Sequence, residues 1–122
     1  METYVTLFCY GTLKQGKHNH DYLETATFLG EAHTSSDYTL VVSGLPYLIE
    51  RKGAGCYGEL YKIDKKTLKL LDKLEGHPGM YRRVSIIVYD LETAYPIQCE
   101  AYLYPDVFQN NVGQNYEIVR CY

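Results

Sequence analysis

The sequence predicts an α+β fold whose mixed or antiparallel sheet curls into a small barrel. Three observations carry this expectation. Strand-like runs recur along most of the chain, helical spacing is clear in one place only, and 14 of the 122 residues are Tyr with no Trp. Tyrosine suits half-buried strands and the polar walls of cavities. Many strands with one late helix argue α+β rather than an alternating α/β order. Strands this numerous in so short a chain curl into a barrel. With no internal repeat and no linker-like stretch, residues 1–122 read as a single domain.

Tyr4–Tyr10 is apolar on both sides, with Val5, Leu7 and Cys9 on one and Tyr4, Phe8 and Tyr10 on the other. That pattern predicts a central strand covered on both faces. It stops at Gly11, and Gly11-Thr12-Leu13-Lys14-Gln15-Gly16 reads as a loop bracketed by glycines. A short helical turn is expected around Asn19–Glu24. Phe28–Thr34, Tyr38–Val42 and Tyr47–Glu50 follow as strands, the last two separated by the turn signal Ser43-Gly44-Leu45-Pro46. Gly53 and Gly55 punctuate before a strand over Cys56–Ile63. Asp64 as N-cap, Leu68 and Leu71 at helical spacing and Gly76 as a stop predict a helix over Lys65–Glu75. Tyr81–Tyr89 and Ile97–Tyr104 are the last strands. Residues 105–122 are polar and aperiodic and read as an irregular C-terminal arm over the surface.

Charge and cysteine usage narrow the function. Fifteen acids against 12 bases give a net charge of −3, which disfavours a protein that neutralises phosphates, so no nucleic-acid partner is expected. No stretch approaches the ~18 apolar residues of a membrane span, and Met1–Tyr10 lacks a basic region followed by an apolar one. Cys9, Cys56, Cys99 and Cys121 form no CxxC pair, and three lie in strand-like runs, as buried small hydrophobes do. A reducing, cytoplasmic setting and a monomer are the expectation. His18 and His20 lack further ligand types beyond Asp21, so exposed histidines are expected and no metal or other cofactor. Lys62, Lys65, Lys66, Lys69 and Lys73 read as a solvated face.

The helix holds the most informative residue. At ~100° per residue, Lys66, Lys69 and Lys73 share one face while Leu68, Leu71 and Leu74 share the opposite one. Glu75 falls between Leu68 and Leu71, so a carboxylate points the way the leucines point. Buried there, it is disfavoured as a charge by desolvation and by the helix C-terminus. Both effects suit a general acid/base near neutral pH. The alternative is that the last turn frays and Glu75 swings out to Arg82 or Arg83, and the periodicity leaves both open.

The second feature is the loop YGTLKQG. A loop leaving the end of a central strand is a common ligand position, and successive backbone N–H groups near glycine form an anion-binding nest. It matches neither GxxxxGK[ST] nor GxGxxG. On its own the loop is a weak signal, and a plain strand-to-loop turn is the simpler account of it.

Three segments, CYGTLKQG at 9–16, GELYKID at 58–64 and LDKLEGHPGMYRR at 71–83, together resemble the gamma-glutamylcyclotransferase family, and within it the branch that acts on gamma-glutamylamines. The resemblance runs from about Leu7 to Tyr104. It implies a small mixed β-barrel flanked by helices. It implies that Tyr10, Gly11, Thr12 and Leu13 bind a glutamyl group through their backbone, that Glu75 is the catalytic carboxylate, and that Tyr81 lines the pocket. The implied substrate is a small γ-glutamyl amide such as γ-glutamyl-ε-lysine, whose own α-amine closes the ring to 5-oxoproline. The arm after Pro105 matches nothing in the family, which leaves the leaving group open. A binding module that keeps the pocket without turnover, and an interaction protein using a tyrosine-rich surface, are the alternatives.

Overall fold

The structure is a computed structural model, and it describes residues 3–108 and 116–122. Eight strands, one short 3-10 turn at His20–Leu23 and one α-helix are present among the described residues. The strands are β1 (Tyr4–Cys9), β2 (Thr27–Thr34), β3 (Thr39–Ser43), β4 (Leu45–Ile49), β5 (Tyr57–Asp64), β6 (Arg82–Asp90), β7 (Pro96–Leu103) and β8 (Glu117–Val119); the helix α1 is Lys65–Leu74. Five strands close a barrel in the order β1-β5-β2-β6-β7. Its joins are antiparallel except the closing one, where β1 meets β7 in parallel at Leu7 and Glu100. The barrel is therefore mixed, and it is flanked by one helix.

Alternation along β1 splits the interior in two. Phe8 and Tyr10 point into the barrel with Ala32, Leu60, Val88 and Ala101. Leu7 and Cys9 point outward into a second core with Tyr61, Ile63, Leu68 and Leu71, where the helix packs. A strand apolar on both faces is thus covered on both, as its pattern predicts. Tyr4 departs from this, being 46% exposed at the strand's start. Cys9, Cys56 and Cys99 are buried and all four cysteines are free.

β3, β4 and β8 form a second sheet in the order β4-β3-β8. The β3–β4 turn is tighter than its four-residue signal suggests. Ser43 and Leu45 already pair, and Gly44 alone turns the chain at φ 74°. Pro46 consequently lies inside β4, which is tolerable because β4 is an edge strand.

The arm expected to be irregular is not wholly so. Val119, Ile118 and Glu117 pair antiparallel with Leu40, Val41 and Val42, and Phe108 is buried against Val41 and Ile49. The strand is three residues long, too short to show a period of two, and is set by the edge that β3 offers. The part of the arm over residues 109–115 lies outside the described residues.

Candidate active site

The helix starts and stops where its sequence requires. The Asp64 carboxylate accepts the Thr67 N–H at 2.7 Å, capping the first turn. At the other end the His77 N–H donates to the Asp72 carbonyl (2.9 Å) and the Gly76 N–H to the Lys73 carbonyl (3.2 Å). With Gly76 at φ 66° this is a Schellman ending. Glu75 occupies the cap, its N–H on the Leu71 carbonyl (2.9 Å) and its own carbonyl accepting the Tyr81 N–H (3.1 Å). The Glu75 backbone is therefore held from both sides.

A charged cluster ties the same turn to the barrel. Arg83 of β6 grips Asp72 through Nε (2.8 Å) and Nη2 (3.2 Å) and Glu100 of β7 through Nη1 (2.7 Å). The Tyr102 hydroxyl donates to Asp72 at 2.7 Å. Burial opposes the Asp72 charge, but the hydrogen bonds from Arg83 and Tyr102 outweigh it and keep its pKa below the ordinary value. The sequence reading did not single out this cluster. Its signal was the place of Asp72 on the helix, about 40° from Leu68 on the buried side.

With Arg83 committed, the alternative placement of Glu75 is not adopted. Among the described residues Glu75 has no ion pair with Arg82 or Arg83. Its carboxyl is partly buried, and that burial raises its pKa from an ordinary 4.5 to about 7. Leu74 is the exception on the predicted core face, at 37% exposed. The buried side of the helix is centred on Leu68, Leu71 and Thr67, and Leu74 sits at its margin, beside Glu75 on the rim of the cavity described below.

The glycine loop faces this helix end. Gly11 is required by space, because a Cβ there would lie 2.7 Å from Cγ of Pro46. The loop's carbonyls are used internally. Gly11 O accepts Lys14 N–H (3.1 Å), Thr12 O accepts Asn19 N–H (2.9 Å), and Leu13 O meets His20 Nδ1 (2.9 Å). His20 is therefore part-buried on the loop rather than exposed, because Leu13 offers it a carbonyl. Among the described residues the N–H groups of Gly11, Thr12 and Leu13 donate to no protein acceptor.

Between loop and helix lies a cavity of about 260 Å³. Tyr10, Gly11, Thr12, Leu13, Glu75 and Tyr81, the six residues singled out from the sequence, all border it. Pro46, Met80 and Tyr102 border it too and were not anticipated. Tyr81 donates its hydroxyl to the Pro46 carbonyl at 2.8 Å. Its ring stacks on Tyr47 (5.7 Å, 7° between planes), and Tyr104 stands edge-on at 5.2 Å. Burial raises the pKa values of Tyr10, Tyr81 and Cys9 above their ordinary values, with Glu75 a further cause at each. These groups stay protonated at neutral pH, whereas the Glu75 carboxyl titrates near it; His18 borders the cavity as well. Among the described residues no three His, Cys, Asp or Glu gather as metal ligands.

A closed mixed barrel with a cavity that sets a carboxyl of raised pKa against a glycine loop has the features of a small-molecule site suited to acid–base chemistry. Comparison with known proteins gives that class its family. The family model described as gamma-glutamyl cyclotransferase, AIG2-like matches residues 7–119, and the chain belongs to this family of enzymes. It is 39% identical over 102 residues to a putative gamma-glutamylcyclotransferase of Methanocaldococcus jannaschii, covering 82% of this chain and 84% of that protein. It is 38% identical over 106 residues to the gamma-glutamylaminecyclotransferase of Bos taurus, covering 79% of this chain but 63% of that protein. The crystal structure of an AIG2-like protein from Mus musculus superposes with a TM-score of 0.83 at 30% identity, over 98% of this chain and 88% of that one.

Proposed function

We propose that the protein converts a γ-glutamyl amide into 5-oxoproline and a free amine, with Glu75 as general acid/base. The observation that carries this reading is the Glu75 carboxyl, brought by burial to a pKa of about 7 beside the glycine loop. The relatives named as cyclotransferases support the reaction class.

The substrate supplies its own nucleophile. Glu75 takes a proton from the α-ammonium, and the freed amine attacks the γ-carbonyl. A C–N bond forms and closes a five-membered ring. The ring nitrogen, cationic after attack, gives up a second proton; the amide C–N bond then breaks, and Glu75 passes both protons in turn to the departing amine, which leaves as an ammonium. No proton is gained or lost overall, so one carboxyl suffices, at a gain of roughly 10²–10⁴ in rate. The N–H groups of Gly11, Thr12 and Leu13 face the carbonyl oxygen as its charge develops. Holding the glutamyl chain curled contributes up to ~7–11 kcal/mol. Tyr10 and Tyr81 shape the wall. The name of the bovine relative favours a γ-glutamylamine, such as γ-glutamyl-ε-lysine, as substrate.

The test is incubation with γ-glutamyl-ε-lysine, simple γ-glutamylamines and γ-glutamyl-α-amino acids, following 5-oxoproline by mass spectrometry. The protein releases 5-oxoproline from at least one of these. Glu75→Gln, which keeps the shape and removes the base, loses about 10²–10⁴ of the rate. Equal turnover by the two would remove Glu75 from the mechanism. Saturable binding of 5-oxoproline with no turnover by either would make the protein a binding module.

A further inference from the structure

One buried carboxyl near the loop has no part in the chemistry above. Glu59 lies on β5 opposite Cys9 of β1, and is 9% exposed. It shares a strand face with Tyr61 and Ile63, both buried in the second core. Among the described residues no Lys or Arg pairs with it. Its Oε1 instead accepts two hydrogen bonds, the Gln15 backbone N–H at 2.9 Å and the Tyr61 hydroxyl at 2.9 Å. Gln15 stands in the second half of the glycine loop, next to its closing glycine Gly16. Lys14 N–H to Gly11 O, Asn19 N–H to Thr12 O and Leu13 O to His20 Nδ1 stay within residues 11–20, and the Lys14 ammonium reaches the Tyr122 carbonyl at 3.0 Å. Glu59 is thus a side chain of the barrel strand β5 that holds the loop's second half by its backbone.

We infer that Glu59 is a positioning residue: by accepting the Gln15 N–H it fixes the direction in which the N–H groups of Gly11, Thr12 and Leu13 present themselves to the cavity. Burying a carboxyl is unfavourable unless hydrogen bonds compensate it, and here one of the two goes to the segment whose orientation matters. The inference rests on the reaction proposed above, and it also makes a claim about loop order that stands apart from activity.

Hydrogen exchange and steady-state kinetics on the full chain test it together. Glu59→Met, apolar and of similar volume, speeds exchange over residues 11–19 by about fivefold or more, while the β6–β7 amides keep the parent's rate. It lowers kcat/KM for the best γ-glutamyl amide by a similar factor and leaves the acidic limb of the pH profile in place. Glu59→Gln, whose amide oxygen accepts the same N–H, keeps both near the parent. Tyr61→Phe removes the other donor to the same carboxyl, and it leaves loop exchange and kcat/KM within about twofold. If Glu59→Met does not fold, Glu59→Asp, which withdraws the carboxyl from Gln15, is judged by the same criteria.

Unchanged exchange over 11–19 in the Met or Asp variant overturns the inference. Equal effects from Tyr61→Phe and Glu59→Met overturn it too, by showing general loosening. A shifted acidic limb overturns it by placing Glu59 in proton transfer. If no amide turns over, the proposed reaction fails, and the exchange data alone decide the positioning role.

Discussion

Folding raises the proton affinity of the Glu75 carboxyl, from an ordinary 4.5 to about 7, because burial removes water from its charged form. Between these two pH values the native chain binds more protons than the unfolded one. Stability therefore falls as pH rises through that window. At pH 8 the full cost is present, up to about 3 kcal/mol at 1.36 kcal/mol per pKa unit. Glu75→Gln, neutral at every pH, is thus expected to unfold at higher denaturant than the parent at pH 8, with the advantage shrinking towards pH 4.5. Urea titrations at the two pH values measure it. An advantage that stays constant with pH would show that the carboxyl is not desolvated. The same ionisation shapes catalysis. The base form of Glu75 appears as pH rises, so log kcat/KM should climb to a plateau above about pH 7.

Glu75 is held in place by the end of α1. The Schellman ending needs Gly76 at φ 66°, and a Cβ there would also meet Met80 Cβ at 3.1 Å. Gly76→Ala should therefore cost about 1–2 kcal/mol. It should also let water reach the carboxyl, so the acidic limb of the pH profile moves below 7. Thermal unfolding and the pH profile of the variant check both parts. An unmoved limb would mean that the cap does not set the burial of Glu75. Asp72, Arg83 and Tyr102 brace the same turn against β6 and β7. A part-buried ion pair held by several hydrogen bonds holds geometry better than an exposed one.

The barrel and the smaller sheet meet around the cavity: β1 supplies the loop, β4 supplies Pro46, and the helix supplies Glu75. β8 completes the smaller sheet, and Val119 packs against the barrel core that holds Phe8 and Leu40. Val119→Asp places an unpaired carboxylate against that core and should destabilise the chain by about 1–3 kcal/mol. A urea midpoint equal to the parent's would return residues 117–119 to the status of a loose arm.

Local rules accounted for much of this. The two-faced pattern of Tyr4–Tyr10, the Asp64 cap, the Gly76 stop and the placement of Glu75 among the leucines could all be read along the chain, because each depends on neighbours within a turn or a strand. Gly11 and Glu75 were candidates on the same grounds. Other features depend on residues far apart in sequence. Arg83 is withheld from Glu75 because Asp72 and Glu100 hold it from two different elements. Gly11 is required because Pro46 packs against it, and β8 exists because β3 presents an open edge. Glu59 looks like any strand carboxyl until Gln15 folds back over it. The chain's own pattern specified the elements and the two chemical features, since periodicity and capping are short-range. The raised pKa, the shape of the cavity and the hold on the loop came from packing, since desolvation and close contact arise only when distant segments meet.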